Sequence, residues 1–120
     1  MNKKRTQRIA SEIQKIVSNS IINQIKDPRI DKINTSITGV EVTNDLSYAT
    51  IYFSTIGDDK AKEDTKEGLI SAGGFLRKEI GENVDLRHTP RLIFKLDNTS
   101  EHAQHINNLI EEIHKEDNND

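Results

Sequence analysis

The chain has 120 residues, 17 of them Lys or Arg and 20 Asp or Glu, for a formal net charge of −3. That length supports one ordinary domain and excludes a multidomain machine. Leu, Ile, Val and Phe make up about a quarter of the residues, enough for a modest core and too little for a large buried ligand chamber. The absence of cysteine excludes a disulfide framework, a thiolate metal cage and a thiol nucleophile, and fits a reducing compartment. Apolar runs are only a few residues long, and Met1-Asn2-Lys3-Lys4-Arg5 leads into a polar helical pattern rather than a secretory leader, so the cytosol is the expected location and no membrane partner is expected.

Charge is uneven along the chain. Residues 1–32 carry eight positive and three negative side chains, and residues 33–59 carry four negative and none positive. Residues 60–100 are near balance, whereas residues 101–120 carry one positive and six negative. A basic arm and an acidic end permit one face to meet a polyanion despite the overall sign, although solvated helix faces account for most single charges. Residues 1–115 are expected to form a single domain. Residues 116–120, Glu-Asp-Asn-Asn-Asp, hold no apolar anchor and are expected to be an acidic flexible tail.

Ile9, Ile13, Ile16, Val17, Ile21 and Ile25 recur at helical steps and predict an amphipathic helix from about residue 5 to 26, stopped by Asp27-Pro28. Residues 33–43 and 48–56, rich in β-branched and aromatic side chains and separated by Asn44-Asp45, predict an antiparallel hairpin. Ile33 and Ile37 fall on odd positions but Val40 and Val42 on even ones, so a bulge is expected near Gly39. On the second strand Ala49, Ile51 and Phe53 are the expected core set, with Tyr48, Thr50 and Tyr52 on the other face. A helix over residues 60–71, with Ala61, Leu69 and Ile70 as apolar contacts, breaks at Ala72-Gly73-Gly74. It resumes with Phe75, Leu76 and Ile80, and Gly81 is its expected stop. Leu92, Phe94 and Leu96 give a third strand after Pro90. Ile106, Leu109, Ile110 and Ile113 mark a closing amphipathic helix, with Thr99 or Ser100 as its cap.

Motifs for catalysis are missing: there is no G-x-S-x-G, H-E-x-x-H, phosphate loop or G-x-G-x-x-G, and no cofactor is expected. His102 and His105 have a spacing that presents two imidazoles to one metal, but no third ligand stands out and no metal site is expected. His88 is of the residue type most often used as an acid or base. With no nucleophile or paired carboxylate spaced beside it, a loop or phosphate-contacting histidine is favoured over an acid or base.

More informative is Ser71-Ala72-Gly73-Gly74-Phe75-Leu76-Arg77-Lys78, followed by Arg87-His88-Thr89-Pro90-Arg91. A helix restarting after glycines offers unpaired N–H groups and a positive dipole end, with two cations in its first turns, which suits phosphate. Equally, the glycines turn the chain so that Phe75 and Leu76 reach the core. Tyr48 and Tyr52 on the open strand face suit base stacking or packing beneath a helix.

The basic first helix with Arg5 and Arg8, the hairpin text Gly39-Val40-Glu41-Val42-Thr43-Asn44-Asp45-Leu46-Ser47-Tyr48-Ala49, the Ala72-Gly73-Gly74-Phe75-Leu76-Arg77 break and Leu86-Arg87-His88-Thr89-Pro90 closely resemble bacterial ribosome-binding factor A, in the same order from about residue 4 to 114. The resemblance implies an α+β, type II KH-like domain: helix-strand-strand-helix, an Ala-x-Gly kink, helix-strand plus a C-terminal helix, with a three-stranded sheet. In that family the kink takes the place of the GxxG phosphate-clamping loop, and none of the six glycines here are spaced as GxxG. It further implies a monomeric, cytoplasmic, non-enzymatic assembly factor that binds the free small (30S) ribosomal subunit and its 16S rRNA. Late rRNA maturation including the 5′ end, a role in the cold, and release with a ribosome-associated GTPase belong to the same expectation. By position, Ala72, Gly73, Gly74, Arg77, Lys78, Arg87, His88 and Arg91 would form the RNA surface, with Arg5 and Arg8 adding contacts from the first helix. The alternatives are a general KH-type single-stranded RNA-binding module, which the missing GxxG disfavours, and an rRNA-processing nuclease using His88 or the acidic residues.

Overall fold

In the computed structural model, which describes residues 3–97, the four-residue recurrence of Ile9, Ile13, Val17 and Ile21 becomes one buried stripe of helix α1, Lys3–Asn23, each at most 2% exposed. Full burial of such side chains stabilises the fold by about 1.5–3 kcal/mol each. The helix stops at Asn23, before the expected Asp27-Pro28. The N–H groups of Gln24 and Ile25 both donate to the Ser20 carbonyl, at 2.9 and 2.8 Å, and Ser20 Oγ donates to Gln24 Oε1. This widened last turn swings Ile25 inward, where it joins Ile30 in the core.

Strands β1, Thr35–Val42, and β2, Tyr48–Thr55, pair antiparallel, and the register slips between Ile37 and Gly39. Thr38 is the extra residue of the bulge that the hydrophobic phase predicts. Ile33 does not join β1 and is exposed. The Asp31 carboxylate accepts from the N–H groups of Ile33 and Asn34, closing a turn that delays the strand to Thr35. Ala49, Ile51 and Phe53 are fully buried, as alternation requires. The hairpin turn places its left-handed residue at Leu46 (φ 62°), with Asp45 accepting from Ser47 N–H.

Helix α2, Asp59–Ser71, is capped by Asp58, which accepts from Ala61 N–H, and helix α3, Gly73–Asn83, follows after the single residue Ala72. Strand β3, Arg91–Leu96, then lies parallel to β2, giving the order β1-β2-β3. The two helices are the long crossover that a parallel pairing needs. Leu69, Leu76 and Ile80 bury against the same core as α1, Ile37, Ile51, Phe53 and Phe94, so the helices cover one face of the sheet. Ile70, an expected apolar contact, is exposed, and of the Phe75-Leu76 pair that one reading of the kink sends to the core only Leu76 is buried. The expected closing helix with Ile106, Leu109, Ile110 and Ile113, the His102/His105 pair and the acidic tail lie outside the described residues.

Candidate nucleic-acid interface

Ala72 ends one helix and begins the next. Its N–H donates to Gly68 O at 3.0 Å, its carbonyl accepts from Leu76 N–H at 2.9 Å, and its φ and ψ of −82° and −1° provide the break. No side chain among the described residues caps α3. Neither Gly73 nor Gly74 takes a positive φ, and a Cβ built on either meets nothing within 4 Å. Backbone strain and crowding therefore explain neither of them. Two glycines in one helical turn, each less favourable than alanine by about 1 kcal/mol, leave bare main chain open to close approach.

Beside this start runs an open groove of about 370 Å³ between the kink and the outer edge of β3, lined by Lys66, Ile70, Gly73, Arg77, Leu92, Ile93 and Phe94. Lys66, Ile70, Gly73 and Arg77 stand at i, i+4, i+7 and i+11, a single helical stripe that continues across the kink. Lys66 is the residue that inspection of the kink alone misses, and that spacing is the signal that finds it.

Of the expected site residues, Gly73 and Arg77 enter the groove, Gly74 and Lys78 are exposed beside it, and Arg91 lies at the start of its strand wall. The Arg77 guanidinium is already engaged: Nε donates to Pro90 O at 3.2 Å and Nη2 to Thr89 O at 3.1 Å. It thereby fixes the loop that carries exposed Arg87 and His88. The expected helix stop at Gly81 is corrected, since α3 runs through to Asn83. Gly81 serves close packing instead, because a Cβ there would sit 2.9 Å from Thr89 Oγ1 of the same loop.

Arg5 and Arg8 are not at the kink. The kink abuts the far end of α1, where Gln24, Ile25, Lys26 and Asp27 line a hollow with Ser71, Ala72 and Phe75. Twenty-one residues at 1.5 Å each put the two ends of α1 about 30 Å apart. Arg5 and Arg8 stand at the hairpin end, where Lys3, Thr6 and Gln7 adjoin Val40–Asn44. Arg91 also starts β3 at that end, donating its N–H to Ser47 O at 2.9 Å.

On the other flank of the kink, Arg29 donates to Asp27 Oδ2 at 2.7 Å and to Ser71 Oγ at 3.0 Å. The side-chain hydrogen bond from Arg29 holds the half-buried Asp27 carboxyl below its usual range. Tyr48 and Tyr52 lie on the sheet face away from the helices, and Tyr52 Oη donates to Glu41 Oε2 at 3.3 Å. Among the described residues no group of three or more His, Cys, Asp or Glu side chains is placed to hold a metal.

One helix-covered face, an α-β-β-α-α-β order and an Ala72-x-Gly74 break between the paired helices define a type II KH-like α+β domain. The chain belongs to the ribosome-binding factor A family, whose profile matches residues 5–110. It is 63% identical to the ribosome-binding factor A of Finegoldia magna over 120 residues, which cover all of this chain and 99% of that one. The solution structure of a Thermotoga maritima protein of this type aligns with a TM-score of 0.69 at 33% identity, covering 79% of this chain and 89% of the other. Coordinates of the Thermus thermophilus ribosome-binding factor A, fitted into a cryo-EM map of its 30S complex, align with a TM-score of 0.62 at 20% identity, over 78% and 97%.

Proposed function

We propose that this protein is a non-enzymatic assembly factor that binds the small (30S) ribosomal subunit. The observation that carries the reading is the kink. Gly73, Lys66 and Arg77 line one groove at a helix start with no side-chain cap, and the bare main chain of Gly74 and the exposed Lys78 stand beside it. Such a surface takes RNA phosphate by close main-chain approach and charge, without a nucleophile beside it. The family supports the subunit as target, since the Thermus thermophilus member has been placed in a 30S complex.

Recognition is of rRNA backbone and shape, because a groove with Ile70, Leu92, Ile93 and Phe94 but no GxxG loop gives few donors for reading bases. Arg77 orders the loop, Arg87, His88 and Arg91 extend the contact, and Arg5 and Arg8 add a second cluster. The protein prefers the immature subunit and so shifts rRNA helices near the decoding region toward one arrangement, since a binder moves an equilibrium only by its difference in affinity between states. Late 16S maturation including the 5′ end, a growth requirement in the cold, action as a cytoplasmic monomer, and departure with the help of a GTPase complete the proposal. In it, residues 1–115 form the RNA-binding domain and 116–120 an acidic tail.

The test is sedimentation of pure protein with small subunits, large subunits and intact ribosomes at low and moderate salt. Selective, salt-sensitive pelleting with the small subunit is expected. Equal binding to all particles, or tight binding to short single-stranded oligonucleotides, would replace the reading with a general RNA-binding module.

A further inference from the structure

The two flanks of the kink are built differently. Toward β3 the groove holds the cations Lys66 and Arg77. Toward the end of α1 a hollow of about 390 Å³ is lined by apolar Ile25, Ala72 and Phe75 together with Gln24, Lys26 and Ser71. Ligand sites run from roughly 300 to 1,000 Å³, so this one suits a single ring system rather than an extended chain.

Phe75 stands apart from its neighbours on α3. It is 40% exposed in the first turn, while Leu76 beside it and Ile80 one turn on are fully buried. The core closes without this ring, which stays open to contact from outside.

Charge on this flank is already compensated. The Asp27 carboxylate accepts from Arg29 Nε at 3.0 Å and Nη2 at 2.7 Å, and Glu67 and Asp64 of α2 lie close enough to join Asp27 in raising the Arg29 pKa. A phosphate placed beside Arg29 would meet those three carboxylates, whereas an uncharged ring meets no such opposition. The hydrogen-bonding groups left over are donors. Gln24 Oε1 accepts from Ser20 Oγ at 2.8 Å, which leaves the Gln24 NH2 group, and Ser71 Oγ accepts from Arg29 Nη2 at 3.0 Å, which leaves its hydroxyl hydrogen. The complement of such a site is a planar ring with acceptors on its edge, as in guanine, with N7 and O6, or uracil, with its carbonyls.

Continuity favours RNA over a peptide side chain as the source of that ring. Ala72 and Phe75 line the hollow and Gly73 between them lines the groove, so a strand crossing the bare main chain of Gly73 and Gly74 has the hollow on its far side. Exposed Lys26 is the cation at hand for the adjoining phosphate.

We infer that the hollow beside Phe75 takes one unpaired base of the bound rRNA, guanine or uracil, its ring stacked on Phe75 and its edge acceptors on Gln24 and Ser71. The inference rests on RNA binding at the kink, and adds one base contact to the backbone recognition of the groove.

The test compares the full chain with Phe75→Leu, Phe75→Ala and Phe75→Tyr. Stacking on an aromatic side chain is worth about 5- to 150-fold in affinity per base, so the Leu and Ala variants are expected to bind the small subunit more weakly by that factor while Tyr stays near the parent. The slope of log affinity against log salt is expected to be the same in all four, because the ring carries no charge. Circular dichroism checks that each variant keeps the fold. On small subunits saturated with protein, kethoxal and carbodiimide, which modify guanine and uracil, are expected to find one unpaired base protected by the parent and by Phe75→Tyr but not by Phe75→Leu. A parent that fails to pellet with the small subunit would overturn both the RNA-binding reading and this inference. A parent that binds, with Phe75→Leu equal to it in affinity and protection, would overturn the inference alone. Weaker binding by Phe75→Leu with an unchanged protection pattern would also overturn it, in favour of a ribosomal protein touching Phe75.

Discussion

Arg77 on α3 holds the backbone of Pro90 across the start of β3, its Nε donating to the Pro90 carbonyl at 3.2 Å while Nη2 reaches Thr89 O. One side chain thus lends charge to the groove and fixes the loop bearing Arg87 and His88. Arg77→Ala is expected to weaken subunit binding more than Lys78→Ala and to speed amide hydrogen exchange over residues 86–91. Arg77→Lys keeps the charge but loses the planar fork. It is expected to restore part of the affinity and none of the exchange protection. Equal exchange in all three proteins would show that the loop is fixed by other contacts.

Gly74 and Gly81 should respond oppositely to the same substitution. Nothing lies within 4 Å of a Cβ on Gly74, so Gly74→Ala is expected to stabilise the fold by about 0.5–1 kcal/mol. Its melting temperature rises by several degrees while subunit affinity falls. A Cβ on Gly81 meets Thr89 Oγ1 at 2.9 Å, so Gly81→Ala displaces the loop and lowers the melting temperature. Thermal unfolding followed by circular dichroism, paired with sedimentation, reads both effects.

With roughly four phosphate contacts, the plot of log affinity against log salt is expected to have a slope of about −3 to −4. Replacing Lys66, Lys78, Arg87 or Arg91 by alanine should each reduce its magnitude by about 0.7–0.9. Arg5→Ala and Arg8→Ala lie at the opposite end of α1 from the kink, so their effects on affinity should add to those of Lys66→Ala and Lys78→Ala. An Arg5 or Arg8 substitution that leaves the slope untouched would remove the first helix from the interface.

Acid should expose the turn that precedes β1. The side-chain hydrogen bond from Asn34, followed by the N–H donors of Asn34 and Ile33, lowers the Asp31 pKa from its usual value of 3.8. A depressed carboxyl contributes stability that is present above the unfolded-state value and is lost as pH falls through the lower folded one. The stability difference between the protein and Asp31→Ala is therefore expected to be constant near neutrality and to shrink below about pH 4. Denaturant titrations at several pH values measure it, and a gap that stays constant into strong acid would count against the turn.

Local order was legible in the sequence wherever neighbours along the chain decide it. Four-residue recurrence placed Ile9, Ile13 and Val17 in the core, strict alternation did the same for Ala49, Ile51 and Phe53, and the phase slip between Ile37 and Val40 announced the bulge at Thr38. Misjudged were positions where a local turn or helix break overrides the pattern. Ile33 and Ile70 are as apolar as the residues that were buried, yet a turn closed by Asp31 and the break at Ala72 leave them outside.

The same division runs through the candidate site. The Ala72-Gly73-Gly74 break and its cations are contiguous text, and hydrophobic periodicity on either side fixes them as a helix junction. Only the tertiary structure joined that junction to the edge of β3 and brought Lys66 and Ile93 into one groove. It also tied Arg77 to Pro90, turned Gly81 from a helix stop into a packing position, and sent Arg5 and Arg8 to the far end of α1. The physical reason is one of range. Periodicity and capping act within a few residues, whereas the parallel pairing of β2 with β3 across two helices is a long-range contact, stabilised by the shared core and specified by no short stretch of sequence.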